Sequence, residues 1–233
     1  MGFIPIFLQV ENRPCLVVGG GPVAARKIHP LLDAGARVTV ISPRVTPDMA
    51  RLGRSERVCL LPRPYRSGDM RGFDLVYAAT SDRRLQRRLF EEARHLRIPI
   101  NVADAPEFCS FIVPAVARRG RLQVAISTAG ASPAMARLVR HRLERWLGPE
   151  YEDLLDVMAA AREWLKRHEP DPGARAHKLA ALAASDLDDA LRSRDADAVE
   201  RIVGRCLGAA VRMADLGMEK LAALRGASPA ESA

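Results

Sequence analysis

The sequence predicts an α/β protein, a Rossmann-like parallel sheet followed by an all-helical region, and three observations carry that prediction. Between residues 15 and 113 short apolar strands alternate with helical stretches, the order that builds a parallel sheet with helices on its faces. The first strand runs straight into Gly19-Gly20-Gly21-Pro22 and a helix. From Tyr151 onward strand signals stop and only helical periodicity remains.

Cys15 to Val18 starts the sheet, and the helix after it spans about Pro22 to Asp33. Proline suits the first helical turn, where its missing N–H has no partner to lose, and Ala34-Gly35 closes the helix. Val38 to Ile41, Val58 to Leu61, Leu75 to Ala79 and Ile98 to Val102 read as strands two to five, the fifth placed inside the sheet. A helix from Leu85 to Leu96 bridges the last two. Phe108 to Val113 is apolar enough for one more strand, after which Pro114 and the Arg118-Arg119-Gly120 turn mark a boundary and Leu122 to Ser127 adds a strand.

Ser132-Pro133 is a strong helix start, an N-cap hydroxyl followed by proline, for a helix reaching about Leu147. Met135, Leu138, Val139, Leu143, Trp146 and Leu147 recur at helical spacing and define a packing face, leaving Arg137, Arg140, Arg142 and Arg145 on the polar faces. Further helical patterns cover about 151 to 168, 175 to 193 and 195 to 225, and Gly226 to Ala233 reads as a frayed tail.

With 233 residues, 48% of them hydrophobic, the chain can bury a core. No apolar run reaches the length of a membrane span, and Phe3 to Val10 lacks a basic leader and a cleavage site, so a cytoplasmic location is expected. Cys15, Cys59, Cys109 and Cys206 are widely spaced, without a CxxC pair or a ligand-spaced histidine, and are expected to be reduced, structural thiols. No resident metal site is expected. The net charge of +8 admits a nucleic acid, an anionic membrane or a polyanionic small molecule, or a basic surface without a partner. Aromatic residues make up only 5% and do not interleave with the basic ones, which disfavours nucleic acid and leaves an acidic small molecule or plain solubility.

Gly19, Gly21 and Ala24 give GxGxxA between a strand and a helix, where small residues let a pyrophosphate approach the backbone and the helix N-terminus supplies N–H donors. Gly19, Gly21, Pro22, Val23 and Ala24 are therefore dinucleotide-binding candidates. The acidic residue usual at the end of the second strand is absent. Ser42, Pro43 and Arg44 stand there instead: Ser42 could bond a ribose hydroxyl and Arg44 could meet a 2'-phosphate, which leaves NAD and NADP both open. Thr80 and Asn101, at the ends of strands four and five, complete the cofactor candidates. Asp82 is divided between a ligand role and capping the next helix.

Asp104 follows the fifth strand at the edge where open α/β sheets bind ligands, and Pro106 blocks a helical continuation. In a partly desolvated crevice its pKa would rise toward the working pH and suit it to general acid–base chemistry. Asp104-Ala105-Pro106 also makes a good turn, and position alone does not separate the two roles.

Pro5-Ile6-Phe7, the stretch Val17 to Lys27, Ala79-Thr80-Ser81-Asp82, Asn101-Val102-Ala103-Asp104, Ser110-Phe111-Ile112-Val113-Pro114 and Ala125 to Pro133 together resemble the siroheme synthase family, in its N-terminal, precorrin-2 dehydrogenase part. The likeness covers residues 3 to about 148 well and the remainder loosely. It implies NAD-dependent oxidation of precorrin-2 to sirohydrochlorin, with Asp104 as the catalytic residue, and in some members insertion of ferrous iron as a second reaction at the same aspartate. It implies a homodimer, with an NAD-binding domain over 1–113, a dimerisation segment over 114–148 and a helical domain over 149–225 before a tail at 226–233. Some members carry serine at Thr128, where phosphorylation blocks the site, and a threonine can accept phosphate too. The methyltransferase domain of the fused enzymes does not follow Ala233, so the making of precorrin-2 is expected of another protein.

A tetrapyrrole bearing eight carboxylates suits a basic chain. The Thr128 to Ser132 turn before an arginine-bearing helix offers N–H donors and cations, making Thr128, Ser132 and Arg137 substrate-binding candidates. Two rival readings stand beside the dehydrogenase: a non-catalytic NAD-sensing module, and a chelatase without dehydrogenase activity.

Overall fold

Apolar strands that are buried on both faces force helices onto both sides of a sheet, and the first half of the chain obeys that demand. A computed structural model describes residues 2–218, which divide at Val113 and Pro114 into two compact units. In the first unit β1 (Pro14–Val18), β2 (Arg37–Ile41), β3 (Val58–Leu61), β4 (Leu75–Ala78) and β5 (Ile100–Val102) form a parallel sheet in the order β3-β2-β1-β4-β5. Cys15 and Val17 point to one face, packed with Ala24, Ile28 and Leu31 of α1 (Pro22–Asp33) and Met49 of α2 (Pro47–Leu52). Leu16 and Val18 point to the other, packed with Leu89 and Ala93 of α3 (Arg83–Leu96). Strand order reverses direction between β1 and β4, which opens the ligand crevice at their C-terminal ends.

Several expectations are corrected. β5 is an edge strand, not an inner one, and it begins at Ile100 because Pro99 has no N–H to donate. Phe108 to Val113 is not a strand. Pro106–Phe108 forms a 3-10 turn, and the chain then runs along β5 with one backbone bond, Ser110 N–H to the Ile100 carbonyl at 2.9 Å, and side chains where a strand would use more of its backbone. Ser110 Oγ accepts from Ile100 N–H at 2.8 Å and Cys109 Sγ from Val102 N–H at 3.1 Å, so the exposed sheet edge is blunted without a sixth strand. The helix α2 had no counterpart in the sequence reading; Thr46 caps it at Met49 N–H.

The second unit opens with an antiparallel hairpin, β6 (Ala115–Arg119) and β7 (Leu122–Ile126). Only β7 was expected. Arg119 also fastens α4 (Pro133–Trp146) by donating to the carbonyls of Glu144 and Leu147 at 2.9 and 2.7 Å, satisfying orphan acceptors at that helix's C-terminus. The packing face of α4 is narrower than its periodicity suggests: Ala136 is buried, while Met135, Leu138 and Trp146 are exposed.

Helices α5 (Glu150–His168), α6 (Pro172–Ala183), α7 (Leu187–Arg192) and α8 (Ala196–Leu207) build a helical core around Val157, Leu165, Leu182, Leu187 and Val203. The single helix expected over 175 to 193 is two, with Ser185 donating to the Leu182 carbonyl at the break. The helix expected over 195 to 225 stops at Leu207, where Gly208 adopts φ +145° and a 3-10 turn follows at Met213–Leu216. The rest of that expected helix, from residue 219, and the tail at 226 to 233 lie outside the described residues. Among the described residues no helix is long and apolar enough to cross a membrane.

Candidate active site

The glycine turn is built by close approach. A Cβ on Gly19, at φ +126°, would lie 2.3 Å from the Ala79 carbonyl oxygen, so only glycine lets the end of β1 press against the end of β4. A Cβ on Gly20 would meet the Arg44 carbonyl at 2.3 Å. Around Gly21, by contrast, nothing lies within 4 Å of the Cβ position. The tight packing is beneath and the open side is above, over the crevice.

Gly21 is the N-cap of α1 and offers no side-chain cap; the first helical bond runs from Ala25 N–H to the Gly21 carbonyl. Pro22 has no N–H, so Val23 and Ala24 present donors without helical partners beside the positive end of the dipole. That is the donor set an anionic diphosphate needs.

The second-strand candidates divide. Ser42 is 6% exposed and its hydroxyl donates to the Arg44 carbonyl at 2.6 Å, so it locks the turn and does not offer that proton to a ribose. Thr46 N–H donates to the Gly20 carbonyl at 3.0 Å and ties the same loop to the glycine turn. Pro43 and Arg44 are exposed on that loop.

At the end of β4, Thr80 Oγ1 accepts from Asp82 N–H at 3.2 Å. Asp82 caps α3, with Oδ1 accepting from Arg84 and Leu85 N–H at 2.9 and 3.2 Å, and of its two readings the structure shows the capping one. Asn101 donates from Nδ2 to the Phe111 carbonyl at 3.0 Å, which holds the edge-covering segment against β5. Among the described residues its side-chain oxygen accepts no hydrogen bond.

Asp104 stands one residue beyond the last sheet contact, where Ala103 N–H donates to the Ala78 carbonyl at 2.8 Å. Its φ is +57°, a conformation that aspartate tolerates better than most residues, and its neighbour Ala105 is fully buried. The carboxylate is thus projected from a fixed frame. It is exposed, so the desolvation expected from the sequence is not supplied by the first unit.

Gln86 escaped the sequence reading. It is 4% exposed on α3, and its Nε2 donates to the Thr80 carbonyl at 2.6 Å and the Ala103 carbonyl at 3.3 Å. One amide therefore clamps the loops after β4 and β5, including the residue before Asp104. The available signal was a polar residue in helical register with Leu89 and Ala93.

The four cysteines are free. Burial, helped by Asp74, pushes the Cys15 thiol up to about 11, and burial also raises that of Cys109, so both are held as thiols. Among the described residues no group of three or more His, Cys, Asp or Glu is placed to hold a metal ion.

The remaining candidates lie in the second unit. Thr128 Oγ1 accepts from Ser132 N–H at 3.0 Å, and Ser132 Oγ caps α4 at Met135 N–H, 3.1 Å away. Both hydroxyls shape the turn, with Ala129 and Gly130 at positive φ between them. Arg137 is exposed one turn along α4.

Comparisons with known proteins concern the family and the fold. Residues 6–115 match a family described as "Putative NAD(P)-binding", and residues 119–145 match one described as "Sirohaem biosynthesis protein central". A siroheme synthase of Thioalkalivibrio sulfidiphilus is 38% identical over 231 residues, 99% of this chain and 47% of that protein. The siroheme synthase of Ectopseudomonas mendocina is 42% identical over 171 residues, 73% of this chain and 37% of its own length. The chain thus spans about half or less of the curated relatives it matches. Among solved structures, one titled "SirC, precorrin-2 dehydrogenase" shares the fold, with a TM-score of 0.70 over 88% of this chain and 98% of that one, at 22% identity.

Proposed function

The chain belongs to the family formed by the N-terminal region of the siroheme synthases, and from that premise we propose that it is a cytoplasmic, NAD-dependent dehydrogenase converting precorrin-2 to sirohydrochlorin. The observation that carries the proposal is Asp104, held at positive φ on the same sheet edge as an uncapped, glycine-fronted helix N-terminus.

The residues present fit a nicotinamide dinucleotide. Val23 and Ala24 N–H groups would hold the diphosphate, the absent Cβ of Gly21 leaves it room, and Thr80 and Asn101, at the ends of β4 and β5, would line the far end of the crevice. When bound, the nicotinamide supplies the hydride acceptor. This chain's own residues orient the macrocycle and receive the proton: Asp104 is the acceptor of the proton lost as conjugation extends. Dehydrogenation then balances as one hydride and one proton removed. NAD is preferred over NADP in this reading, and Arg44 is the residue through which a 2'-phosphate would be felt.

The substrate class follows from charge. The hydroxyl protons of Thr128 and Ser132, whose oxygens already accept from backbone N–H groups, and the Arg137 guanidinium would meet the carboxylates of a polyanionic tetrapyrrole, and a net charge of +8 favours its capture. The exposed Met135, Leu138 and Trp146 of α4 support a homodimer in which a second copy covers them. Because the curated relatives are named for siroheme, the iron-loaded product, insertion of ferrous iron into sirohydrochlorin is the second activity this reading carries, with iron as substrate and Asp104 assisting proton loss.

Purified protein given precorrin-2 and NAD should produce NADH together with the sirohydrochlorin spectrum, and product given ferrous ion should shift to siroheme. Cofactor binding without turnover would favour the sensing module instead. Metal insertion without NAD reduction would favour the chelatase alone.

A further inference from the structure

Lys27 lies on α1 one turn beyond the diphosphate-facing Ala24, about 4.5 Å farther along the helix axis. It is half-buried, with its ammonium 5.6 Å from the centroid of the Tyr77 ring on β4. Tyr77 packs edge-on against Phe111, whose carbonyl takes the Asn101 amide, so the lysine rests on the same ensemble that fixes the end of β5. Among the described residues its ammonium makes no hydrogen bond or ion pair.

A cation half withdrawn from water with only a ring face for company is poorly compensated. Burial lowers its pKa below the ordinary lysine value; Cys109 and Asp104 act in the opposite sense, and Arg26 adds to the lowering. Tyr77 is the register partner of Asn101 across β4 and β5, three residues before Asp104, so the ammonium over its ring lies on the β4–β5 side of the crevice. The diphosphate donors sit on the preceding turn.

We propose that Lys27 is a substrate-docking residue, whose ammonium takes one peripheral carboxylate of the tetrapyrrole and so sets the macrocycle beside Asp104. The inference rests on the dehydrogenase reading. The interaction makes a charge-assisted pair for an ammonium that has no hydrogen bond or ion pair among the described residues, and it sets an attractive charge on the side of the crevice where the Asp104 carboxylate would repel a polyanion.

The test is equilibrium binding of sirohydrochlorin and, separately, of NAD to the full chain, using wild type, Lys27→Met and Lys27→Arg, with thermal unfolding measured alongside. Lys27→Met should weaken sirohydrochlorin about tenfold, leave NAD within twofold and not lower the melting temperature, since an apolar chain of similar length still covers Tyr77. Lys27→Arg should restore binding to within threefold of wild type. Unchanged sirohydrochlorin affinity in Lys27→Met, or a loss confined to NAD, would overturn the docking role while wild-type binding leaves the dehydrogenase reading standing. A wild-type protein that binds no sirohydrochlorin would overturn both.

Discussion

Two glycines two residues apart should fail in opposite ways. In Gly19→Ala the new methyl would sit 2.3 Å from the Ala79 carbonyl oxygen and 2.8 Å from its carbon, at φ +126°. Backbone cannot yield as a side chain would, so β1 and β4 must part at the crevice. The unfavourable dihedral costs about 1–3 kcal/mol and the clash adds to it. At roughly 2–4 °C per kcal/mol for a chain of this size, about 3 kcal/mol lowers the melting temperature by about 6–12 °C. Gly21→Asp meets no atom within 4 Å and sits at φ −92°, which any residue accepts, so the fold should hold. Its carboxylate would instead stand where the diphosphate approaches, weakening NAD about tenfold or more. Thermal unfolding and NAD titration of both variants separate these effects. A Gly19→Ala protein melting within 2 °C of wild type, or a Gly21→Asp protein with unchanged NAD affinity, would refute the placement of the turn.

Other residues make narrower claims. Asp82→Ala removes the acceptor for two N–H groups at the start of α3 and should cost about 1 kcal/mol, read as a lower melting temperature; no change would show the cap to be idle. Asp69 accepts two bonds from Arg63, at 2.6 and 2.9 Å, and one from Arg66 N–H at 2.7 Å, and the Arg63 bond leads in lowering its pKa. A lowered folded-state pKa contributes stability above the unfolded value of about 4, lost as pH falls through the folded value. Stability of wild type should therefore decline below about pH 4 more steeply than that of Asp69→Asn. Parallel declines would remove Asp69 from the account.

Legibility in the sequence followed how local each determinant is. The β1–turn–α1 unit was fully readable because Pro22 fixes the helix start and the apolar run before it has no alternative. The six-residue α2 is too short to show periodicity and depends on the Thr46 cap and buried Met49. β6 was missed because Arg118-Arg119-Gly120 looks like a turn, whereas the two arginines still pair with Gln123 and Leu122 and the reversal falls at Gly120 and Arg121. That β5 is an edge strand depends on sheet order, which no single strand encodes, and the segment covering it is held by Cys109 and Ser110 side chains. At the site, the position of Asp104 was legible from the strand before it, while its positive φ and the Gln86 clamp are tertiary facts. Ser42 reads as a free hydroxyl in the sequence, whereas its proton is committed to the carbonyl two residues away, a local turn that residue type alone does not reveal.

The central claim is that Asp104 receives the proton in a dinucleotide-dependent oxidation. Asparagine tolerates the same left-handed backbone, so Asp104→Asn removes the base without disturbing the turn. Steady-state turnover of precorrin-2 should fall by roughly a hundredfold or more in this variant, about 2.7 kcal/mol of barrier, with NAD affinity and melting temperature unchanged. Turnover within a few fold of wild type would contradict the account.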